Sequence, residues 1–454
     1  MSKNILLFGA GRSTASLIEY LLNLCSLEGW SLNLVEKHAE FANEKTNGHE
    51  CAKVHSFDIR DVEKRQELVR AADVVISMMP ARFHMLVIED CIELKKNMVT
   101  ASYITPEIEA LNQKAIDAGV SIMMELGVDP GIDHMSAMKM IDTVRSQNNE
   151  ILLFESFTGG LVAPESDNNP WNYKFTWNPR NVVVAGQGGA AKFIQEGKYK
   201  YIPYHRLFRR TESISIEGYG KFEGYANRDS LNYRSVYGLD DIPTIYRGTL
   251  RRPGFSRAWD VFVKLGATED TYLMEGVKDM THRDFINSFL AYNPHDSVEL
   301  KLMHYLNIPQ DDSIIEKLEW LGIFENTPVG LDEDATPAQV LQKILEKKWT
   351  LEEHDKDMIV MWHKLGYKTS QGELKMMTSS MVVKGEDRTY TSMAKTVGLP
   401  VAIATKKVLL GEINKPGIHR PVTPEIYNPI LQELEEHEIQ FTENEMKPEF
   451  YWKE

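Results

Sequence analysis

The sequence has few cysteines, no long apolar run and no excess of basic residues. Its three cysteines, Cys25, Cys51 and Cys91, show neither paired nor metal-ligand spacing, which is typical of a reducing compartment and indicates no metal site. No apolar run approaches the roughly 18 residues that a membrane-spanning helix needs, and no signal-peptide pattern follows Met1. We therefore expect a cytoplasmic protein.

Charge and length narrow the class further. Acidic residues outnumber basic ones, 66 to 51, so the net charge is −15, which disfavours wholesale binding to nucleic acid or to an anionic membrane. An anionic substrate would need a local cluster of arginines. Hydrophobic residues make up 43% of the 454 residues and charged residues 26%, the balance of a globular protein. Two or three domains are expected, because one core rarely exceeds about 300 residues.

The first 130 residues alternate short apolar runs with longer amphipathic ones, which is the pattern of βα units in a parallel sheet. The first predicted helix begins near Ser13. The predicted strands are 5–8, 32–35, 54–57, 74–78, 98–101 and 122–124. Six strands separated by helices are the count of a dinucleotide-binding Rossmann domain.

A glycine-rich turn follows the first predicted strand. Gly9 and Gly11 fit Gly-x-Gly-x-x-Gly, with Thr14 at the third glycine position, and the acidic Glu36 follows the second strand, as in NAD(P)-binding proteins. Such glycines let the backbone approach a pyrophosphate at the start of a helix. Glu36 would accept the ribose hydroxyls and favour NAD over NADP, although the adjacent Lys37 weakens that preference. The simpler alternative is a tight βα turn followed by a solvated glutamate.

Residues 125–134, Glu-Leu-Gly-Val-Asp-Pro-Gly-Ile-Asp-His, form a polar loop after the sixth predicted strand. Open α/β sheets bind their ligands at the carboxyl ends of strands, so this loop is a candidate site. The alternative is structural, because Asp-Pro-Gly is common turn chemistry and Asp133 could cap the next helix. His134 could act as a base, but a histidine just inside a helix start is more often structural.

The pattern changes beyond residue 150. Strand-like stretches separated by aromatic and glycine-rich loops predict a mixed sheet. They lie at 152–157, 199–204, 213–216 and 244–251, with a later hairpin at 358–363 and 373–383. A helical insertion is predicted at about 276–354, with capping boxes that begin at Ser313 and Thr336. A helical pair interrupted by Gly398 and Pro400 is expected at 392–413, and the acidic segment from Glu433 is expected to be a solvated terminus.

With these landmarks identified, the chain resembles the saccharopine reductase family, which includes the glutamate-forming saccharopine dehydrogenases of fungi and the matching half of bifunctional lysine-degrading enzymes of plants and animals. The matching motifs occur in the family's order along almost the whole chain. They are Thr100-Ala-Ser-Tyr103, residues 125–134, Thr158-Gly-Gly-Leu161, Ala163-Pro-Glu165, Tyr173-Lys-Phe-Thr-Trp177, Asn227-Arg-Asp-Ser230, Arg247-Gly-Thr-Leu-Arg251, and Ser392-Met-Ala-Lys395 with Val397-Gly398. Three features depart from the family pattern. Fungal members carry an arginine after the second strand that suits NADP, where this chain has Glu36 and Lys37. Family members often carry Gly-x-Gly-x-Val-x-x-Pro at the first turn, and fungal members carry a cysteine where this chain has Thr158.

The resemblance implies a fold, a reaction and an assembly. The fold is α/β, with a Rossmann domain at 1–130 and 390–454, a mixed-sheet α+β substrate-binding and dimerisation domain at 131–275 and 355–389, and the helical insertion at 276–354. The implied reaction oxidises the secondary amine of saccharopine with NAD(P) and water to L-glutamate and 2-aminoadipate 6-semialdehyde, or runs in reverse, in lysine metabolism. A homodimer is implied as well.

The resemblance also implies site residues, whose types fit a substrate with three carboxylates and two amino groups. Cofactor contacts are implied at Gly9, Ala10, Gly11, Arg12, Glu36, Asp58, Ile59, Met79, Ala101, Ser102, Val128, Asp129, Pro130 and Asn178. Substrate contacts are implied at Ser102, Tyr103, Asp129, Arg228, Thr249, Leu250 and Arg251. Arg228 and Arg251 could bind carboxylates through paired hydrogen bonds, and Asp129 could hold an ammonium. Tyr103 and Asp129 are the candidate catalytic acid–base groups, or groups that only orient the reactants.

Two other functions stay open. A related dehydrogenase of polyamine metabolism, of the carboxynorspermidine dehydrogenase or homospermidine synthase type, would act on amines with fewer carboxylates and would barely depend on Arg228 and Arg251. A non-catalytic NAD(P)-binding sensor would bind the nucleotide without reducing it with any amine.

Overall fold

A computed structural model describes residues 2–448, and their contacts divide the chain into two compact units. The first unit comprises Met1–Ile151 and Tyr367–Met446, and the second comprises Leu152–Gly366. This division differs from the predicted boundaries at 130 and 390. One reason is that the helix after residue 131 is tied to the carboxyl-terminal part of the chain, where the Tyr427 hydroxyl donates to Asp142 Oδ2 at 2.8 Å.

Strands and helices alternate regularly in the amino-terminal part. They are β1 (Asn4–Phe8), α1 (Ala15–Glu28), β2 (Ser31–Val35), α2 (Ala39–Thr46), β3 (Ala52–His55), α3 (Val62–Ala71), β4 (Val74–Ser77), α4 (His84–Glu93), β5 (Asn97–Val99), α5 (Pro106–Glu109), α6 (Asn112–Ala118), β6 (Ser121–Met123) and α7 (Ile132–Ser146). The six predicted strands are confirmed, each within two residues at either end.

The chain then forms longer strands and a group of helices. They are β7 (Glu150–Val162), α8 (Pro179–Val183), β8 (Ala191–Gln195), β9 (Lys198–Ile202), β10 (Glu212–Ile216), β11 (Gly220–Ala226), α9 (Tyr233–Val236), β12 (Thr244–Arg251), α10 (Phe255–Leu265), α11 (His282–Asn287), α12 (Val298–Leu306), α13 (Ser313–Trp320), α14 (Pro337–Trp349) and β13 (Asp357–Lys368). The last elements are β14 (Leu374–Lys384), α15 (Ser392–Leu409), β15 (Gly417–His419), α16 (Pro424–Glu436) and β16 (Thr442–Met446).

The first unit is built on a parallel sheet with the strand order β15-β6-β5-β4-β1-β2-β3. Ile5 of β1 lies between Leu32 of β2 and Val74 of β4, so buried apolar strands form the middle of the sheet. The edge strand β15 comes from the carboxyl-terminal part of the chain and pairs in parallel with β6, with Ile418 opposite Ile122. This is the predicted Rossmann sheet with one further strand. An antiparallel pair, β14 with β16, also belongs to this unit.

The second unit contains the predicted mixed sheet, with the strand order β10-β11-β12-β7-β13. β12 runs parallel to β7 but antiparallel to β11 and β8. Beside it lies an aromatic core in which the Tyr173 ring is 5.0 Å from Trp349 and 5.1 Å from Phe255, centroid to centroid. Helices α11 to α14 occupy the region of the predicted helical insertion.

Two predictions about helix boundaries are wrong. The expected helical pair at 392–413 is one helix, α15, with Pro400 inside it. Its packing explains the continuity, since a Cβ on Gly398 would lie 2.9 Å from Leu17 N of α1, and burial at this close approach offsets the backbone hydrogen bond that Pro400 cannot make. The capping box predicted at Ser313 is absent, because Asp312 is the N-cap and accepts from Ile314 N at 3.0 Å.

Other predictions have mixed outcomes. The capping box at Thr336 is confirmed, with Gln339 as its partner. The acidic segment is not a solvated terminus at its start, because Glu433 lies in α16, is 8% exposed and accepts from Lys406 Nζ at 2.8 Å; residues 449–454 lie outside the described residues. Among residues 2–448, no helix is long and apolar enough to cross a bilayer.

Candidate active site

The glycine turn after β1 has the geometry of a nucleotide-binding loop. Gly9 has φ +98°, and a Cβ there would lie 2.9 Å from Met78 O, so only glycine fits. Gly11 is exposed, with nothing within 4 Å of a Cβ position, which leaves room for a phosphate. The first helix is predicted to begin near Ser13, and α1 begins at Ala15 after a 3₁₀ turn over Arg12–Thr14. Thr14 Oγ1 closes this turn by donating to Gly11 O at 2.8 Å.

A lysine of α2, which the sequence analysis did not select, forms hydrogen bonds with the glycine turn. Lys45, in the last turn of α2, donates through Nζ to Ala10 O at 2.7 Å, to Gly11 O and to Thr14 Oγ1 at 3.1 Å. Burial lowers the pKa of Lys45 to about 8. Its ammonium therefore fixes the turn and adds positive charge where a pyrophosphate would lie. No local pattern marks Lys45, because it is more than 30 residues from the loop.

Glu36 is bound to the same loop. Its Oε2 accepts from Ala10 N at 2.9 Å and its Oε1 from His38 N at 3.3 Å. The carboxylate is thus fixed at the end of β2, as predicted for a residue that would meet the ribose. Lys37 points into solvent, with 64% of its side chain exposed, and its Nζ is 4.0 Å from Asp58.

A pocket of about 390 Å³ lies beside the loop. Its lining residues are Val35, Lys37, Phe57, Asp58, Ile59, Arg60, Met79, Arg82 and Phe83. Asp58, Ile59 and Met79, predicted from the sequence to contact the cofactor, are therefore together. Hydrogen bonds from Arg60, at 2.8 Å from Nε, hold the pKa of Asp58 well below its usual range. Apolar walls with polar ends suit an adenosine, so the residues present fit a nicotinamide dinucleotide.

The loops after β5 and β6 bring the candidate catalytic pair together. The Tyr103 hydroxyl donates to Asp129 Oδ1 at 3.4 Å. Tyr103 is 41% exposed, and Asp129 is half-buried. Ala101 and Ser102 share the first loop, and Val128 and Pro130 share the second. Both side chains thus stand at the carboxyl edge of the parallel sheet, where ligands of such sheets bind.

A buried carboxylate supports this arrangement. Glu125, 3% exposed, accepts from Ile104 N at 2.9 Å and Arg420 Nε at 3.1 Å, and its Oε2 is 2.8 Å from His134 Nε2. Burial raises the pKa of Glu125, but the hydrogen bond from His134 and the charges of His134 and Arg420 bring the pKa below its ordinary value. Glu125 thereby anchors the residue next to Tyr103. The contact favours the structural reading of His134 over that of a base.

Asp133 is also structural. Its Oδ1 accepts from Gly131 N at 2.6 Å, and Gly131, not Asp133, is the N-cap of α7.

The remaining predicted residues lie in the second unit. Thr249, Leu250 and Arg251 end β12, where the Leu250 side chain is wholly buried. Arg228 is exposed, with φ +46°. Asn178 caps α8, because its side chain accepts from Arg180 N at 3.0 Å.

Arg251 is unusual for a buried cation. It is 5% exposed and lies 5.0 Å from the Tyr173 ring and 5.4 Å from the Phe255 ring, measured to the ring centroids. Its NH1 donates to Leu250 O at 2.8 Å, but its Nε has no partner and it forms no ion pair with any carboxylate of residues 2–448. Tyr173 Oη also lacks a hydrogen-bond partner there, and burial raises the Tyr173 pKa to about 12. A buried guanidinium normally needs an anion. The aromatic cage around Arg251, formed by the Tyr173 and Phe255 rings, is therefore suited to a ligand carboxylate.

Within residues 2–448, no group of three or more His, Cys, Asp or Glu side chains could hold a metal ion.

Comparison with known proteins identifies the family. Sequence models of the saccharopine dehydrogenase NADP binding domain and C-terminal domain match residues 5–123 and 127–439. The saccharopine dehydrogenase [NADP(+), L-glutamate-forming] of Saccharomyces cerevisiae is 33% identical over 96% of this chain and 97% of its own length. The rat mitochondrial alpha-aminoadipic semialdehyde synthase is 35% identical over 97% of this chain, which spans only 47% of that protein.

A solved structure agrees with these matches. The apo saccharopine dehydrogenase (L-Glu forming) of Saccharomyces cerevisiae superposes with a TM-score of 0.88 at 31% identity, covering 98% of this chain and 100% of that one. The chain belongs to the saccharopine dehydrogenase family.

Proposed function

We propose that the chain is a saccharopine dehydrogenase that oxidises the secondary amine of saccharopine with NAD(P) and water to L-glutamate and 2-aminoadipate 6-semialdehyde, and catalyses the reverse reaction. The fungal relatives that match it from end to end carry this activity in their names. Hydride leaves the carbon next to the nitrogen, water adds to the resulting iminium, and the carbon–nitrogen bond then breaks. A bound nicotinamide would supply the hydride acceptor.

The observation that carries the proposal is the buried guanidinium of Arg251, which lacks a carboxylate partner among the described residues. Removing a charge from water costs several kcal/mol unless a partner compensates. Saccharopine brings three carboxylates, and a guanidinium binds a carboxylate through two parallel hydrogen bonds. Arg251 is therefore assigned to one substrate carboxylate, with Thr249 beside it. Arg228, which is exposed, is assigned to a second.

The first unit is assigned the amine chemistry. Asp129 would hold a substrate ammonium, and Tyr103, within 3.4 Å of Asp129 Oδ1, would orient the reacting nitrogen or move its proton. Either group acting as an acid or base would contribute about 10²- to 10⁴-fold to the rate. Ser102, on the same loop, is assigned contacts to both ligands.

The finer cofactor assignment is NAD. Glu36 is held by Ala10 N, so its negative charge lies at the end of β2, where it would accept ribose hydroxyls and repel a 2′-phosphate. Lys37 and Arg60 line the neighbouring pocket, but both pair with Asp58. The fungal relatives are named for NADP(+), so cofactor choice has to be measured.

The activity test uses purified protein with saccharopine and either NAD or NADP at mildly alkaline pH. We expect the absorbance of reduced nicotinamide to rise and L-glutamate to form in equal amount. Carboxynorspermidine is the control substrate, because a polyamine-type dehydrogenase would prefer it. Binding of the nucleotide without its reduction by any amine would refute the proposal and favour a sensor.

The homodimer stays a proposal that rests on the resemblance, and the cytoplasmic location stays a proposal that rests on the sequence pattern. Light scattering of the purified protein would test the first, and fractionation of cells the second.

A further inference from the structure

A buried histidine that the sequence analysis did not select reaches the candidate site. His84 begins α4 and is 1% exposed. Its Nδ1 is 2.9 Å from the Ser77 hydroxyl at the end of β4, and its Nε2 is 2.5 Å from the Ser102 hydroxyl after β5. The three side chains form a continuous hydrogen-bonded line from the sheet interior to a residue assigned to ligand contact.

We propose that Ser77 and His84 fix the Ser102 hydroxyl as a hydrogen-bond donor to an acceptor oxygen of the bound ligand, so that His84 is a positioning residue. This inference rests on the proposed function. The acceptor is a carboxylate or carboxamide oxygen, and it can belong to the substrate or to the nicotinamide.

The hydrogen-bond partners of Ser77 determine which atom donates in each of these two hydrogen bonds. The Ser77 hydroxyl is wholly buried, and its hydrogen-bond partner in residues 2–448 is His84 Nδ1. If Nδ1 carried the proton, the Ser77 O–H would have no acceptor, at a cost of about 1 to 3 kcal/mol. Ser77 therefore donates to Nδ1, and the imidazole proton is on Nε2. Burial also lowers the pKa of His84 to about 4, so the ring is neutral near pH 7.

The consequence reaches Ser102. Nε2–H donates to the Ser102 oxygen, so the hydroxyl proton of Ser102 points away from His84. The Ser102 backbone is held on both sides, because its N–H donates to Thr100 Oγ1 at 3.3 Å and its carbonyl accepts from Glu125 N at 3.0 Å. Thr100 Oγ1 in turn donates to Ser77 O at 2.6 Å. The Ser102 O–H bond can still rotate, and a hydrogen bond to the ligand would fix its direction.

The test compares Ser102→Ala, His84→Met, His84→Gln and the double variant Ser102→Ala/His84→Met. The dissociation constant of NADH and the KM and kcat for saccharopine are measured for each. We expect Ser102→Ala and His84→Met to weaken the same parameter by about 2- to 12-fold, the range of one neutral hydrogen bond. The double variant should lose no more than either single one. His84→Gln should recover most of the loss, because its amide N–H can donate to Ser102.

The affected parameter identifies the ligand. A change in the NADH dissociation constant assigns the nicotinamide, and a change in the KM for saccharopine alone assigns the substrate. His282→Met, which removes a buried histidine of α11, is the matched control and should alter neither. If the losses of the single variants multiply in the double variant, or if His84→Gln is no better than His84→Met, the inference is wrong.

A spectroscopic readout is independent of activity. Nitrogen-15 shifts of His84 should show a neutral ring protonated on Nε2, and protonation on Nδ1 would overturn the inference. If the wild-type enzyme does not oxidise saccharopine, the proposed function is wrong. The NADH dissociation constants and the nitrogen shifts would still test the positioning role of His84.

Discussion

Glu125 in the first unit and Arg251 in the second are both buried charged residues, and they differ in what surrounds them. Glu125 is surrounded by His134, Arg420 and the Ile104 N–H, so the protein itself satisfies its carboxylate. Arg251 contacts aromatic rings and one carbonyl, and no carboxylate of the described residues forms an ion pair with it. The first arrangement stabilises the fold, and the second is suited to binding an anion. Substitutions at the two positions should therefore separate stability from function.

Arg251→Met should have the largest effect on activity. Because a substrate carboxylate would lose its charged partner, we expect kcat/KM for saccharopine to fall roughly 30- to 4,000-fold. This corresponds to a loss of about 2 to 5 kcal/mol of binding free energy in the transition state. The melting temperature should stay the same or rise, since replacing an uncompensated buried charge by an apolar side chain is often stabilising. Arg257→Met, an exposed arginine paired with Asp312, is the control. A large loss of stability in Arg251→Met would contradict the comparison.

Glu125→Gln should have the opposite pattern. It leaves His134 and Arg420 without their buried carboxylate, so the free energy of unfolding measured in urea should fall by about 3 to 5 kcal/mol. Glu109→Gln is the matched control, because Glu109 also lies near Arg420, at 3.7 Å, but is 64% exposed. Equal stability of the two variants would show that the Glu125 cluster does not support the fold.

The acid sensitivity of the fold follows from the same cluster. Since the pKa of Glu125 is below its ordinary value of 4.5, its contribution to stability is complete above pH 4.5 and is lost as pH falls through the lower folded-state pKa. Wild type should therefore lose stability over this acidic range more steeply than Glu125→Gln. Denaturation curves at several acidic pH values would measure the difference.

Lys45→Met should weaken NADH binding by about 10- to 100-fold, the range of hydrogen bonds to a charged group. The substitution removes the ammonium that binds Ala10, Gly11 and Thr14. It therefore tests whether this ammonium also contributes to nucleotide binding. Fluorescence titration with NADH measures the affinity, with Lys64→Met as an exposed control. Because the pKa of Lys45 is about 8, wild-type affinity should fall as pH rises through 8, and the affinity of Lys45→Met should not.

Glu36→Ala should have the smallest effect. Loss of its charge should raise the ratio of NADP to NAD activity on the order of tenfold, equal to about 1.4 kcal/mol. The ratio of the two kcat/KM values is the measurement. A wild-type preference for NADP would show that Glu36 does not select against a 2′-phosphate.

The sequence was informative where the signal is local. Period and glycine spacing predicted β1 to β6 and the nucleotide turn, because alternating apolar runs and a βα turn depend on neighbouring residues. Gly398 and Pro400 misled for the same reason, since local rules give a break where packing of α15 against α1 maintains one helix. The end of β5 also extended too far in the prediction, as Thr100 turns to bind Ser77.

The structure brings several residues of the predicted site together, and the residues that the sequence analysis did not select depend on distant contacts. Tyr103 and Asp129 follow adjacent strands of one sheet, so their closeness could be inferred. Lys45 and His84 carry no motif, because each acts on residues that lie far along the chain or on another element. The resemblance indicated Arg251, but its aromatic cage arises from rings brought together only by folding.

The edge strand β15 has a consequence for biosynthesis. Gly417–His419 complete the parallel sheet beside β6, and Arg420, next in sequence, supplies a cation to Glu125. A ribosome must therefore translate the whole second unit before the first can close its sheet. During that interval β6 has an unpaired edge, and a nascent chain halted before residue 417 would lack both the last strand and the arginine that pairs with its buried carboxylate.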